Sequence, residues 1–191
     1  KNILKFMPPE IKGGLIIVLA FTIIGPNDTL VPFIAAESGL WQFHFCRSII
    51  AILLIVLFFK FTDYKITIYS YKSIAWRTSF YVISMLIYFG CLSFLPIAVT
   101  GAGMFTSPIF VLLFSAFIFK EHIGFKRICA VLVGSIGVWI ILDPTEVNFS
   151  LVNLLPVLGG AFLAMGNMST WRMCSNENAL VLNMAFFLGI G

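Results

Sequence analysis

The sequence predicts an all-α integral membrane protein, a helical bundle of inverted five-helix repeats. Three observations support this fold class: few charges, a very long apolar run and an internal repeat. The chain is 60% hydrophobic and 10% charged, whereas soluble domains carry about 25% charged residues. Residues 78–119 contain no charged side chain, although one helical crossing needs only ~20 residues. Segments this long predict helices, because a spanning helix satisfies its own backbone hydrogen bonds.

Seven spans follow from the apolar runs and the polar residues between them. Pro96 divides the long uncharged run in two, because proline lacks the N–H that continues a helix. The last span is still apolar at Gly191 and is too short to cross ~30 Å of hydrocarbon. We therefore expect six and a half helices in this sequence. An intact protein with two five-helix repeats would have ten. The spans are predicted at 13–34, 41–59, 74–95, 99–119, 128–142, 151–173 and from 179 onward.

The basic residues predict the orientation of the chain. Eleven of the twelve flank the spans on one side, and the loops on the other side hold none. The positive-inside rule makes that side, with the N-terminus, cytoplasmic. The net charge of +4 is therefore an orientation signal and predicts no nucleic-acid partner. The twelfth basic residue, Arg47, lies within the second span. The eleven are Lys1, Lys5, Lys12, Lys60, Lys65, Lys72, Arg77, Lys120, Lys126, Arg127 and Arg172.

An internal repeat relates the first and second spans to the sixth and seventh. The two copies are 140 residues apart and share a small number of polar and apolar positions. Corresponding spans of the two copies are five spans apart, an odd number, so the second copy is inverted in the membrane. We assign residues 1–143 to a first repeat of five spans and 144–191 to the start of a second. The aligned pairs are Asn27 with Asn167, Thr29 with Ser169, Glu37 with Glu177, and Leu40 with Leu180.

Residues 95–142 carry a recognisable pattern, LPIAVTGAGMFTSPIFVLLFSAFIFKEHIGFKRICAVLVGSIGVWIIL. A Leu95-Pro96 turn leads into a helix of small residues with Pro108 in mid-membrane. Glu121 follows at the cytoplasmic end, and a glycine-bearing helix closes the segment. This order resembles the EamA-type repeat of the drug/metabolite transporter superfamily. The resemblance implies ten helices in a bacterial inner (plasma) membrane, with the lipid bilayer and a small-molecule substrate as partners.

The resemblance also implies a function. We expect a secondary transporter that moves a small polar or amphipathic metabolite, such as an amino acid, by alternating access, with export the expected direction. An S-adenosylmethionine or nucleotide-type exchanger is the alternative, because a site with acidic, basic and aromatic groups suits a ring-bearing zwitterion. A membrane enzyme or a scaffold is a third reading. An enzyme should cluster His, Asp or Glu at one membrane face, but the two histidines, His44 and His122, are predicted on opposite sides. No motif predicts ATP hydrolysis, a metal or a cofactor.

The first span is interrupted at Gly25-Pro26-Asn27-Asp28. Broken helices of this kind often form transporter sites, and Asp28 is the only acidic residue within a predicted span. Arg47 on the second span reaches the same predicted depth, about 9 Å below the outer boundary. Three interpretations follow: a structural ion pair, a site for substrate or for a coupling proton, or an Arg47 that extends outward to the interface.

Further candidates are polar or aromatic residues that share helical faces inside the membrane. His44 lies one turn before Arg47 and is either pH-sensing or simply hydrogen-bonded near the interface. A stripe on the third span should face the bundle interior, where it either lines a substrate path or bonds a neighbouring helix. Thr106 likewise either lines a substrate path or bonds a neighbouring helix. On the sixth span, Asn167 and Trp171 are candidate lining groups. The full set is His44, Tyr81, Ser84, Tyr88, Thr106, Asn167 and Trp171.

Small residues predict where helices approach closely. Gly103 and Ser107 on the fourth span, and Gly134 and Gly137 on the fifth, are expected to form packing surfaces. The four cysteines share no metal-binding spacing and are expected to pack as small apolar residues.

Overall fold

A computed structural model describes residues 39–61, 67–142 and 150–191 of the chain. Within this part every regular element is a helix, which confirms the predicted all-helical fold class. The predicted site residues Asn27 and Asp28 lie outside the described residues. Before residue 39, the structure describes only positions 8, 11, 13–16, 18–19, 22, 29–31, 33–34 and 37.

The described helices match the second to seventh predicted spans. Four apolar segments of the described part are long enough to cross a membrane, so the chain is a multi-pass membrane protein. The helix for the third span starts earlier than predicted, at Tyr71, after Ser70, whose side chain accepts a hydrogen bond from the Ser73 N–H. It also ends earlier than predicted, at Cys91, because Pro96 forces a turn before the next helix. The helices are α1 (Leu40–Phe61), α2 (Tyr71–Cys91), α3 (Ile97–Met104), α4 (Ser107–Phe117), α5 (Phe125–Leu142), α6 (Leu155–Met173, after a 3-10 turn at Leu151–Leu154) and α7 (Ala179–Ile190).

The fourth predicted span is two half-helices rather than one. α3 ends at Met104 and α4 begins at Ser107. Pro108 explains the break, since it has no N–H to donate and its ring clashes with the carbonyl four residues earlier. At the break, the Gly103 carbonyl accepts hydrogen bonds from the Thr106 N–H (3.1 Å) and the Thr106 hydroxyl (2.6 Å). These bonds satisfy the backbone where the helix is interrupted, as a membrane interior requires.

α6 is the central helix of the described part. It packs against α2, α3 and α4, while α7 packs against α1 and α2. Close approach is possible because α6 is rich in glycine: a methyl group added at Gly160 would lie 2.7 Å from the Gly103 carbonyl oxygen. This confirms a packing surface at Gly103. At Gly134 and Gly137 that prediction is wrong for the described residues, because no atom lies within 4 Å of a methyl group added there. Both lie on α5, which packs against α3 and α4.

Two polar links tie helices together at one end of the bundle. The Glu177 carboxylate, between α6 and α7, accepts hydrogen bonds from the backbone N–H groups of Tyr69 (3.0 Å) and Ser70 (2.7 Å) at the start of α2. A negative charge is favourable there because it faces the positive end of the helix dipole. Arg172, at the end of α6, forms an ion pair with Glu121, just beyond α4. The two links bring the start of α2, the end of α4, the end of α6 and the start of α7 to one end of the bundle. The basic residues beside these helix ends therefore lie at that same end.

Candidate functional site

The polar stripe of α2 faces α6 and α7. Its residues, Tyr81, Ser84 and Tyr88, recur at spacings of three and four, which place them on one helical face. Ser84 is fully buried and its hydroxyl donates a hydrogen bond to the Gly159 carbonyl on α6 at 2.8 Å. Tyr88 is half-buried and packs beside the apolar cluster around Phe89. The expectation that this stripe faces the bundle interior is confirmed, and Ser84 and Tyr88 contact neighbouring protein groups there.

Tyr81 and Asn167 form a hydrogen-bonded pair between α2 and α6. The Tyr81 hydroxyl donates to the Asn167 side-chain oxygen at 2.6 Å. The Tyr81 ring lies against Gly166, where an added methyl group would come within 2.7 Å of a ring carbon. Asn167 also borders a cavity of about 440 Å³ between α4, α5 and α6, which Ser107 and Arg127 line as well. The structure therefore pairs two sequence-predicted residues, and one of them, Asn167, lines a cavity.

Arg77 was counted with the charges that flank the spans, and that assignment is wrong. The residue lies inside α2 and is only 8% exposed. Its Nε donates to the Thr170 hydroxyl on α6 at 3.0 Å, and its Nη1 donates to the Leu182 carbonyl on α7 at 2.8 Å. Its guanidinium carbon lies 4.3 Å from the centre of the Tyr81 ring. One feature of the sequence could have indicated that Arg77 is buried: it lies four residues before Tyr81, on the same helical face.

Arg47 lies among three aromatic rings. Its guanidinium carbon is 5.7 Å from the centre of Phe43, 5.1 Å from Phe89 and 5.8 Å from Phe187. Ring faces attract a cation through their quadrupole, more strongly where water is excluded. His44 is fully buried, and its ring centre lies 4.7 Å from that of Phe89. A cavity of about 330 Å³ lies beside Arg47. We call these five residues the Arg47 cluster; they join α1, α2 and α7.

Two remaining candidates occupy other surroundings. Thr106 is buried, and its hydroxyl supports the break between α3 and α4 rather than reaching a cavity. Trp171 is 66% exposed, with the Arg172 guanidinium 5.1 Å from its ring centre. Asn167 and Trp171, one helical turn apart, therefore lie in different environments.

The chain resembles known transporters along most of its length. The sequence profile of the EamA-like transporter family matches residues 11–143. An uncharacterized transporter of Helicobacter pylori strain J99 is 26% identical over 184 residues, which cover 93% of this chain and 62% of the relative. A second H. pylori transporter, from strain 26695, has the same identity and coverage. A riboflavin transporter of Vibrio cholerae is 35% identical over 77 residues, 40% of this chain and 26% of the relative. No solved structure matches the chain.

These matches agree with the apolar helices of the described part. The chain spans less than two thirds of the length of the H. pylori relatives, and the family profile covers well over half of the chain. The chain belongs to the EamA-like transporter family of the drug/metabolite transporter superfamily.

Proposed function

We propose that the full-length protein is a secondary transporter that moves a small polar or amphipathic metabolite across the inner membrane, in the export direction, by alternating access. The hydrogen bond between Tyr81 and Asn167 carries this proposal. It joins a helix of the predicted first repeat to the first helix of the predicted second repeat. Transporters built from inverted repeats bind their substrates near the midplane, at the interface between repeats. Family membership supports the transport class.

The cavity beside Asn167 is the proposed binding site. Its volume of about 440 Å³ lies within the range of sites that hold small ligands. Asn167 offers an amide, Ser107 a hydroxyl and Arg127 a cation, while the remaining walls are mainly apolar. This combination suits a metabolite with one polar end and one apolar part. The predicted cytoplasmic face is the end where Arg172 pairs with Glu121.

A ring-bearing substrate is the second candidate, and it includes the exchanger class. The Arg47 cluster surrounds a cation with three aromatic rings. The ring centre of Phe186 lies 6.5 Å from that of Tyr81, so the second polar centre is aromatic as well. Aromatic walls stack on planar ligands. One relative of this chain is a riboflavin transporter, and riboflavin is a planar compound of this kind.

Uptake into proteoliposomes that contain the full-length protein tests the proposal. The vesicles receive a mixed pool of amino acids, nucleosides, nucleotides, S-adenosylmethionine and riboflavin, with and without a pH gradient, and mass spectrometry identifies their contents. We expect selective accumulation of one chemical class, and accumulation of a ring-bearing class would favour the second candidate. Folded protein that accumulates no compound above empty vesicles would contradict the transport function.

The coupling proton is assigned to Asp28. An ionisable acid within a membrane span is a candidate proton carrier, because its surroundings differ between the conformations of a transporter. We expect Asp28→Asn to remove the stimulation of transport by a pH gradient and to lower the gradient-driven rate by about tenfold or more. Glu37→Gln, which alters an exposed carboxylate of the same predicted hairpin, is the control and should keep the stimulation. Full transport with unchanged pH dependence in Asp28→Asn would exclude a coupling role.

A further inference from the structure

Arg77 is a buried cation that no carboxylate balances within the part of the chain that the structure describes. The one ion pair of that part joins Arg172 to Glu121. A buried guanidinium without a carboxylate requires other partners, because desolvation of a charge is costly. Arg77 finds them in the Thr170 hydroxyl, the Leu182 carbonyl and the face of the Tyr81 ring. The Thr170 hydroxyl in turn donates to the Gly166 carbonyl at 2.8 Å.

These partners lie on three helices. Tyr81 belongs to α2 itself, Thr170 to α6 and Leu182 to α7. The guanidinium is planar and presents its donors in a fixed geometry. Its orientation is therefore set by α6 and α7 together, and the Tyr81 ring stacks on a group that both helices hold. Gly166 leaves room for the ring on α6, and a methyl group there would lie within 2.7 Å of a ring carbon.

We propose that Arg77 is a positioning residue: it fixes the Tyr81 ring so that the hydroxyl meets Asn167, and it links that orientation to the placement of α7. The proposal rests on the function proposed above, since it assigns the specificity of that site. Movement of α7 away from α2 would break the hydrogen bond to Leu182 and release the guanidinium from one of its two anchors. The Tyr81 hydroxyl would then lose its fixed direction toward Asn167, so the position of α7 would set how well the site holds its ligand.

Arg77→Lys is the main test variant. Lysine keeps the charge but replaces the planar fork by a compact ammonium on a flexible chain. It cannot reproduce the two directed hydrogen bonds and the flat stacking on Tyr81 at once. We expect the KM of the compound accumulated in the uptake assay to rise about tenfold, with a smaller change in maximal rate. Arg77→Gln, which removes the charge, should raise KM at least as much.

The position of Tyr81 can be followed without transport. The full-length protein is produced with 3-fluorotyrosine, and its ¹⁹F NMR spectrum is recorded in detergent micelles. Loss of one resonance in Tyr81→Phe assigns the Tyr81 signal. A guanidinium 4.3 Å from the ring centre strongly affects the fluorine environment, so we expect this signal to shift or broaden in both Arg77 variants. Size-exclusion chromatography shows whether each variant remains folded.

Ser79→Ala is the matched control. Ser79 lies two residues from Arg77 on the same helix, is exposed, and bonds only the Ala75 carbonyl of its own helix. The Tyr81 resonance and the KM of the Ser79→Ala protein should equal those of the wild type. An unmoved Tyr81 resonance in folded Arg77→Lys and Arg77→Gln would overturn the proposal, as would a moved resonance with an unchanged KM. A wild type without transport would instead refute the proposed function, while the ¹⁹F spectra would still decide whether Arg77 holds Tyr81.

Discussion

Gly160→Val is expected to destabilise the folded protein by about 3 kcal/mol, the upper end of the range for overpacked cores. The first added carbon would lie 2.5 Å from the Thr106 hydroxyl oxygen and 2.7 Å from the Gly103 carbonyl oxygen. Both atoms belong to the interrupted segment between α3 and α4, whose hydrogen bonds leave little freedom to move. α3 and α6 must therefore separate, which also disturbs the helix that contacts α2. Thermal unfolding in detergent, followed by the loss of the monodisperse peak, measures the effect.

Gly134→Val on α5 is the matched control for Gly160→Val. It makes the same chemical change in a membrane helix, but no atom of the described part lies within 4 Å of the added carbon. Valine has a somewhat higher helix propensity than glycine, so the stability should change by no more than about 0.5 kcal/mol. Equal stability of the two variants would contradict the close packing of α3 against α6.

Removal of the hydrogen bond between Tyr81 and Asn167 is expected to raise the KM of transport. The effects of substituting the two residues should not add. Tyr81→Phe and Asn167→Ala should each raise the KM of the accumulated compound about fivefold, the equivalent of about 1 kcal/mol for one lost hydrogen bond. The double variant should resemble the single variants rather than their product, because the 2.6 Å bond can be lost only once. Transport kinetics of the four proteins give the coupling energy, which we expect near 1 kcal/mol.

A second cycle controls for indirect effects. The effects of Ser79→Ala and Asn167→Ala should be additive, because the exposed Ser79 hydroxyl bonds the Ala75 carbonyl of its own helix. Additive effects in the Tyr81 and Asn167 cycle as well would show that the pair does not act as a unit during transport.

Much of the fold could be predicted from the order of apolar residues. The bounds of α1 and α7 and the turn at Pro96 follow from local chemistry, since lipid leaves few alternatives to a helix. The break between α3 and α4 was signalled by Pro108. Whether a proline bends a helix or divides it depends on which groups form hydrogen bonds with the backbone near the break. Here the Thr106 hydroxyl donates a hydrogen bond to the Gly103 carbonyl, and this pairing requires the folded geometry.

The candidate site could be predicted only in part, because its contacts join distant parts of the chain. The helical spacing of Tyr81 and Ser84 indicated an inward-facing stripe, but no pattern indicated that Tyr81 meets Asn167. Arg77 was missed because a basic residue near a helix start is usually an orientation signal. Arg77 lies near the start of the predicted span 74–95 as well, and only the packing of α6 and α7 on α2 shows that it is buried.

The aromatic surroundings of Arg47 show the same limit. Phe43 is one turn away in sequence and could be anticipated, whereas Phe89 and Phe187 come from α2 and α7. Phenylalanine is abundant throughout this chain, with 21 residues, so its presence in a helix does not indicate which rings will meet a cation.

Substrate protection in the cavity beside Asn167 tests the central claim most directly. A single cysteine is introduced at Val111, which lines this cavity, in a transport-competent variant of the full-length protein from which the natural cysteines have been removed. The rate of its reaction with a membrane-permeant maleimide is measured with and without the compound accumulated in the uptake assay. Ile136→Cys, at a 61% exposed position on α5, is the control. We predict that the compound slows labelling at position 111 and leaves labelling at position 136 unchanged. Equal labelling at position 111 with and without a compound that is being transported would contradict the assignment of the substrate to this cavity.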